Sequence, residues 1–188
     1  VKSQKLKIIN ILFVGVWFSR KGGELLLEAY KNLVRHYPAI SLTIIGQIPS
    51  NVKVDHLPNV FQKDWLPREK LLRDIFPQAD ILVLIPQRVE GYGFVVQEAM
   101  SFGIPCIVSR IGALPELVED GVTGMVIRPG SARELENALR KLIENEKLRQ
   151  KMGTSAKARF LTHFSVTISN KKLLKVYQET LSLSISRR

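Results

Sequence analysis

The stretch ADILVLIPQRVEGYGFVVQEAM, residues 79–100, decides the fold. Its first part, residues 79–86, is a continuous apolar run of the kind that is typical of a strand buried on both faces of a parallel sheet. Residues 94–102 then carry apolar side chains at helical spacing and stop at Gly103, a residue type that commonly ends helices. The stretch therefore predicts a strand, a glycine-containing turn and a helix in succession.

Strand-like and helix-like segments alternate along the whole chain, which favours an α/β fold with a mainly parallel sheet. Strands are also predicted at residues 10–16, 41–46, 59–62, 105–109 and 123–129. Helices are also predicted at residues 22–36, 67–76, 114–118, 131–145, 146–160 and 166–182. Ser131 and Glu134 have the spacing of a capping box at the start of a helix. The expected architecture is a Rossmann-like, doubly wound sheet with C-terminal helices, which binds ligands at the carboxyl ends of its strands.

The length and composition fit one globular domain, and we expect residues 1–188 to form it. The chain has 188 residues, of which 45% are hydrophobic, and no apolar run approaches the roughly 20 residues that a membrane span needs. A basic N-terminal stretch, residues 1–10, leads into an apolar run too short for a signal peptide. We therefore expect a domain cut from a longer protein, without a targeting segment. Cys106, the single cysteine, is expected to be buried.

The net charge of +11 is the largest compositional deviation. Nucleic acid, an anionic membrane and a phosphorylated ligand are the three partners that such charge suits. The cations are scattered among acids and are not interleaved with aromatic residues, which argues against nucleic acid. For the basic segment NKKLLK, residues 170–175, a solvated helix face and a contact with an anionic membrane are the alternatives. The expected location is the cytoplasm, with the second alternative placing the protein at the inner membrane face.

Two carboxylates flank the glycine turn that follows the 79–86 strand. Glu90 precedes the helix, and Glu98 lies on its second turn with its side chain leaning back toward the N-terminus. Gly91 and Gly93 let the backbone approach a ligand, and the free N–H groups of a helix start suit a diphosphate. A carboxylate accepts two hydrogen bonds, as from adjacent hydroxyls of a ribose or hexose. The alternative role for Glu90 is a partner of the helix dipole, and the alternative for Glu98 is a solvated helix residue. The occurrence of both glutamates around one glycine turn favours a nucleotide-sugar site.

A second candidate site is the segment GVWFSRKGG, residues 15–23. Gly15 ends the first strand, and Arg20 and Lys21 stand just before a helix. Two cations at a helix start are suited to clamp a diphosphate, whereas exposed loop cations are the alternative.

Several other ligand motifs are absent. A dinucleotide fingerprint would need a third small residue where Val96 stands, and the chain has no G-x-x-x-x-G-K-[ST] loop. There is no Asp-x-Asp pair, and the three histidines have no ligand spacing. We therefore expect no metal, and we assign the neutralisation of a leaving diphosphate to Arg20, Lys21 and the dipole of the 94–102 helix.

The run EGYGFVVQEAMSFGIPCIVSRIGALPELVEDGVTG, residues 90–124, resembles the signature of retaining glycosyltransferases of the GT-B fold. That large family, glycosyl transferases group 1, includes sucrose synthases and bacterial mannosyl- and glucosyltransferases. Glu90 and Glu98 match its Glu-x7-Glu motif, and Arg20–Gly22 resembles its phosphate-binding Lys-Gly segment. The resemblance covers about residues 10–180. It implies the C-terminal, donor-binding domain, which faces an N-terminal acceptor domain that this chain lacks.

The resemblance also implies roles for individual residues. Glu98 is expected to hold the ribose hydroxyls, Glu90 to lie by the transferred sugar and Lys21 to meet the diphosphate. The expected catalytic residues are Glu90, Lys21 and Arg20, and the expected donor-binding residues are Gly15, Leu66, Gly91, Tyr92, Gly93, Phe94, Val95 and Glu98. Leu66 belongs to the Trp65–Leu66 loop, which is expected to flank the nucleobase. Many members carry an arginine where Val16 stands, and Arg20 is the candidate to replace it.

The implied activity is a retaining, metal-independent transfer of a sugar from a UDP- or GDP-linked donor to an acceptor, without a cofactor. Two other kinds of GT-B enzyme are alternatives, a nucleotide-sugar epimerase and a phosphorylase. A phosphorylase needs a lysine for pyridoxal phosphate, and the sequence nominates none. A basic module that binds nucleic acid or membranes is the alternative from a different class.

Overall fold

The computed structural model describes residues 8–185, in which six parallel strands form one sheet with helices packed on both faces. The strands are β1 (Ile9–Val14), β2 (Ile40–Ile45), β3 (Val60–Lys63), β4 (Ile81–Leu84), β5 (Cys106–Ser109) and β6 (Gly124–Ile127). Their order in the sheet is β3-β2-β1-β4-β5-β6, and every pairing is parallel. The predicted Rossmann-like, doubly wound sheet is confirmed. The basic residues 1–7 lie outside the described residues.

The helices connect and follow these strands. They are α1 (Gly23–Leu33), α2 (Arg68–Lys70), α3 (Phe94–Ser101), α4 (Leu114–Leu117), α5 (Ala132–Glu144), α6 (Glu146–Arg159) and α7 (Val166–Ile185). Among residues 8–185, no helix has the length and apolar character needed to cross a membrane. The basic segment 170–175 lies in α7 and is exposed along its whole length.

Side chains of successive strand residues enter opposite faces of the sheet, as the pleat requires. Ile11 and Phe13 of β1 belong to the apolar cluster that packs α1 and α5, whereas Leu12 belongs to the cluster that packs α3 and α6. All three side chains are fully buried. This two-sided burial explains why the central strands are continuous apolar runs.

The helix predicted over residues 67–76 is helical but irregular. Arg68–Lys70 is α-helical, Leu71–Ile75 forms a π-helical turn and Phe76–Gln78 a 3₁₀ turn. Pro77 lacks a backbone N–H, and its ring clashes with the carbonyl four residues earlier, so a regular α-helix cannot run through this position.

Strands β1 and β4 are neighbours in the sheet, but the chain continues from β1 to β2 on one side and from β4 to β5 on the other. The loops that follow β1 and β4 therefore run in opposite directions and leave a crevice between them. They are joined at their base, where the Ile85 N–H donates to the Lys21 carbonyl over 3.3 Å. Gly22 allows this contact, because it has a φ of 85° and an added Cβ would lie 2.3 Å from the Ile85 carbonyl oxygen. The switch point of the sheet therefore brings the two sequence-predicted loops together.

Candidate functional site

A cluster of three charged side chains lies where β1 and β4 end. One oxygen of Glu90, Oε2, is 3.6 Å from Arg20 Nη1 and 3.8 Å from Lys21 Nζ. The same Arg20 nitrogen donates to the Val89 carbonyl over 2.7 Å. The structure thus brings together the three residues that the sequence analysis names as catalytic, from two loops that are about 70 residues apart.

The Glu90 carboxylate is buried and incompletely bonded. Its side chain is 10% exposed, and Oε2 has no hydrogen-bond partner among the described residues. Buried polar atoms are nearly always hydrogen-bonded, because an unpaired one keeps its full desolvation cost. Both cations lie beyond hydrogen-bond distance, so this oxygen can still accept a bond from a ligand hydroxyl.

Lys21 is held in a poorly hydrated position. Its side chain is 16% exposed, and its stem packs against Gly15, where an added Cβ would lie 2.5 Å from Lys21 Cδ. Burial lowers the pKa of Lys21 below 10.5, the nearby Glu90 charge opposes that shift, and Arg20 adds to it. A bound anion would favour the charged lysine for the same reason that Glu90 does.

Glu98 has a partner that the sequence analysis missed. Arg68 Nε donates to Glu98 Oε1 over 2.6 Å, and the Glu98 side chain is 17% exposed. The other oxygen, Oε2, has no bond to any residue between 8 and 185 and remains available. The only sequence signal for Arg68 is its position in the first turn after the Trp65–Leu66 loop.

The glycines of the turn have different structural roles. Gly93 is the residue before α3, with a φ of 71°, and an added Cβ would lie 2.6 Å from Leu114 Cδ2. Around Gly91, an added Cβ would meet nothing within 4 Å, so this position faces open space. Gly112, which was not predicted as a site residue, has a φ of 54° and supports the cluster, since its Cβ would lie 2.0 Å from the Glu90 carbonyl oxygen.

Six of the eight predicted donor-binding residues line two cavities, and Gly91 and Gly93 line neither. A cavity of about 210 Å³ is lined by Gly15, Lys21, Trp65, Leu66 and Val95. A cavity of about 530 Å³ is lined by Tyr92, Phe94 and Glu98, together with Arg68. Val95 and Phe94 are adjacent in α3, so the start of this helix contributes to both cavities.

Other reactive groups are few. Cys106 is fully buried, and burial raises the pKa of its thiol, so it is not a nucleophile. Over the described range 8–185, no three His, Cys, Asp or Glu side chains converge as metal ligands would. The arrangement instead offers two cations, two glutamates and the N-terminus of α3, groups that suit an anion carrying hydroxyls.

The sheet and its charged switch point define a Rossmann-like α/β domain. The chain belongs to the family described as glycosyl transferases group 1, whose model matches residues 2–159. The resemblance inferred from the Glu-x7-Glu run is thereby confirmed.

Individual relatives agree with this assignment. The D-inositol 3-phosphate glycosyltransferase of Corynebacterium aurimucosum is 28% identical over 93% of this chain and 44% of its own length. The C-terminal domain of a group 1 glycosyl transferase (LpcC) from Francisella tularensis has a TM-score of 0.75 at 23% identity, with 84% of this chain and 87% of that one covered. Anabaena HepE, solved in complex with UDP-glucose, has a TM-score of 0.77 at 21% identity, over 92% of this chain and 49% of that one. The chain spans about half the length of the curated relatives it matches.

Proposed function

We propose that this chain is the nucleotide-sugar binding domain of a retaining, metal-independent glycosyltransferase. The observation that supports it most is the buried Glu90 carboxylate, which has one unfilled acceptor oxygen and two cations within 4 Å. A nucleoside diphosphate sugar carries both groups that this cluster lacks, an anion for the cations and hydroxyls for the carboxylate. The UDP-glucose in the HepE structure is a ligand of that class.

The donor in this proposal spans both cavities. Its diphosphate lies between Lys21, Arg20 and the N-terminus of α3, where the free N–H groups favour negative charge. Its ribose hydroxyls bind the free Oε2 of Glu98. Its base lies in the 210 Å³ cavity against the Trp65–Leu66 loop. Gly91, with open space at its Cα, lets the sugar and phosphates approach the backbone.

The proposed chemistry is largely electrostatic. As the bond from the sugar to the diphosphate breaks, negative charge grows on the leaving oxygen, and Lys21 and Arg20 stabilise it without a metal. The anomeric carbon becomes positive, and the Glu90 carboxylate stabilises that charge while binding a sugar hydroxyl. Since these charges are already in place before the reaction, little reorganisation is needed when the bond breaks.

The whole protein in this proposal has a second, acceptor-binding domain facing the same edge of the sheet. The acceptor and the transfer step belong to the two domains together. We place the enzyme in the cytoplasm, with α7 as the candidate contact for an anionic membrane surface.

A thermal-shift screen with UDP, GDP, ADP and their common sugars identifies the nucleotide, and calorimetry then tests the site. We expect Glu98→Ala to weaken binding of that nucleotide about tenfold or more, because a charge-assisted hydrogen bond is lost. Glu28→Ala, which removes an exposed carboxylate of α1, is the control and should bind like the parent.

Equal affinity of Glu98→Ala and the parent would contradict the proposed site. Salt-sensitive binding to DNA or anionic vesicles that persists in Glu98→Ala, without nucleotide binding, would favour the basic binding module instead.

A further inference from the structure

A third cavity, of about 750 Å³, opens beside the charged cluster and has no role in the proposed donor site. It is formed by the segments that follow β1, β2 and β3, and it is called here the Trp17 cavity. Its lining includes Val16, Trp17, Arg20, Gln47, Ser50 and Asp64. Its volume lies in the range of about 300–1,000 Å³ that is usual for ligand sites.

The lining combines one aromatic surface with several free polar groups. Trp17 is 66% exposed, although tryptophan is normally well buried. The side chains of Gln47, Ser50 and Asp64 make no hydrogen bond to any residue within the described part of the chain. An indole offers an apolar face, while amides, hydroxyls and carboxylates bind hydroxyl groups. A ring with an apolar face and a hydroxylated edge would match both the indole surface and the free polar side chains.

The charges of the cavity favour a neutral ligand. Arg20 is its one lining cation, and in the proposed donor site that guanidinium neutralises the diphosphate. Asp64 is its one lining anion and would repel a phosphate or carboxylate. A phosphorylated ring therefore fits this cavity less well than an uncharged one.

The cavity also adjoins the proposed place of transfer. Arg20 forms part of its wall and reaches to 3.6 Å from Glu90. Val16 lines both this cavity and the 210 Å³ cavity assigned to the base. A ring bound on Trp17 would thus lie next to a donor sugar at Glu90.

We propose that the Trp17 cavity is an acceptor subsite that binds a neutral pyranoside, with the ring on Trp17 and its hydroxyls on Asp64 and Gln47. The inference rests on the proposed function, because it takes the ring to be the group that receives the donor sugar.

The test observes the indole N–H signals of the ¹⁵N-labelled chain, which has two tryptophans. The variant Trp65→Phe assigns the signal of Trp17. Methyl glycosides of glucose, galactose and mannose are titrated in the presence of the nucleotide that binds best. We expect at least one of them to shift the Trp17 signal saturably at millimolar concentration, whereas glycerol and glucose 6-phosphate do not.

Asp64→Asn and Gln47→Ala should each lower that glycoside affinity about threefold to tenfold, the loss expected for one hydrogen bond, and leave nucleotide affinity unchanged. The inference is wrong if no methyl glycoside shifts the Trp17 signal, if glycerol shifts it equally, or if both variants bind the glycoside like the parent. Failure of the proposed function has a separate readout, since it would appear as absence of nucleotide binding.

Discussion

Lys21 is a residue of the candidate site whose charge depends on its surroundings. Burial lowers its pKa in the folded chain below the ordinary 10.5. The folded state is therefore penalised while the lysine is charged, and this penalty is relieved as the pH rises from the folded pKa toward 10.5. Folding and ligand binding have opposite demands here, because a diphosphate needs the charged form.

The affinity for the best-binding nucleotide should fall as the pH rises toward 10.5, because the lowered pKa of Lys21 makes it lose its proton below that pH. Lys21→Arg should bind with a much weaker pH dependence, since arginine stays charged. Calorimetry across the pH range measures both, and Lys141→Arg, the same substitution at an exposed position of α5, is the control. Parallel pH profiles of the parent and Lys21→Arg would show that Lys21 does not bind the phosphates.

Arg68 acts through Glu98 in the proposed site. Arg68→Met removes the 2.6 Å bond and leaves Glu98 Oε2 without a fixed position, so we expect nucleotide affinity to fall about tenfold. The loss should be smaller with the 2′-deoxynucleotide, which lacks one of the two hydroxyls that Glu98 is proposed to bind. Arg73→Met, which removes an exposed arginine paired with Asp74, is the matched control. A similar loss with both nucleotides would indicate general damage to the site.

At the scale of elements, the start of α5 forms only one of the two hydrogen bonds of the predicted capping box. The Ser131 hydroxyl accepts a bond from the Glu134 N–H over 3.3 Å, as the predicted capping box requires. The Glu134 carboxylate does not return to the Ser131 N–H, because it accepts from the Arg128 N–H over 2.7 Å and pairs with the Arg128 side chain. The cap therefore secures the end of β6 to the helix as well.

Ser131→Ala should reduce the free energy of unfolding by about 1 kcal/mol, the usual cost of losing a helix cap. Thr154→Ala is the control, since its exposed hydroxyl bonds a carbonyl of its own helix and should be close to neutral. Chemical denaturation of the three proteins measures the difference. An equal loss in both variants would mean that the hydroxyl of Ser131 contributes nothing as a cap.

Elements with strong local patterns were predictable, and irregular ones were not. Apolar runs and glycine stops placed all six strands and most helices within a few residues. The π-helical turn Leu71–Ile75 was not predicted, because π-helical turns are rare and have no sequence signal of their own.

The candidate site was predictable where it depends on residue type. Glu90, Lys21 and Arg20 could be nominated from chemistry and loop position. The contact of Gly112 with the Glu90 carbonyl and the pairing of Arg68 with Glu98 join segments more than 20 residues apart. Such contacts depend on packing between loops, which no local pattern encodes.

At the scale of the whole molecule, the site combines the loops after β1 and β4 with the helices α2 and α3, which carry Arg68 and Glu98. We expect this chain to bind a nucleotide sugar weakly and to transfer nothing, because transfer in the proposed function needs the acceptor-binding domain as well as this one. Nucleotide release from the best-binding donor, measured with and without methyl glycosides, checks this. Robust turnover by the chain alone would contradict the proposal that transfer needs two domains.

The central position of β1 has a consequence for how the chain reaches its native state. Strand β1 can pair on its second side only late in synthesis. The N–H of Asn10 in β1 donates to the Asp80 carboxylate over 2.9 Å, and Asp80 lies 70 residues further along the chain. At synthesis rates of about 5–20 residues per second, roughly 4–14 s separate the emergence of these two residues. During that interval one edge of β1 is exposed and apolar, so the nascent chain is prone to aggregation and suited to chaperone binding until β4 arrives.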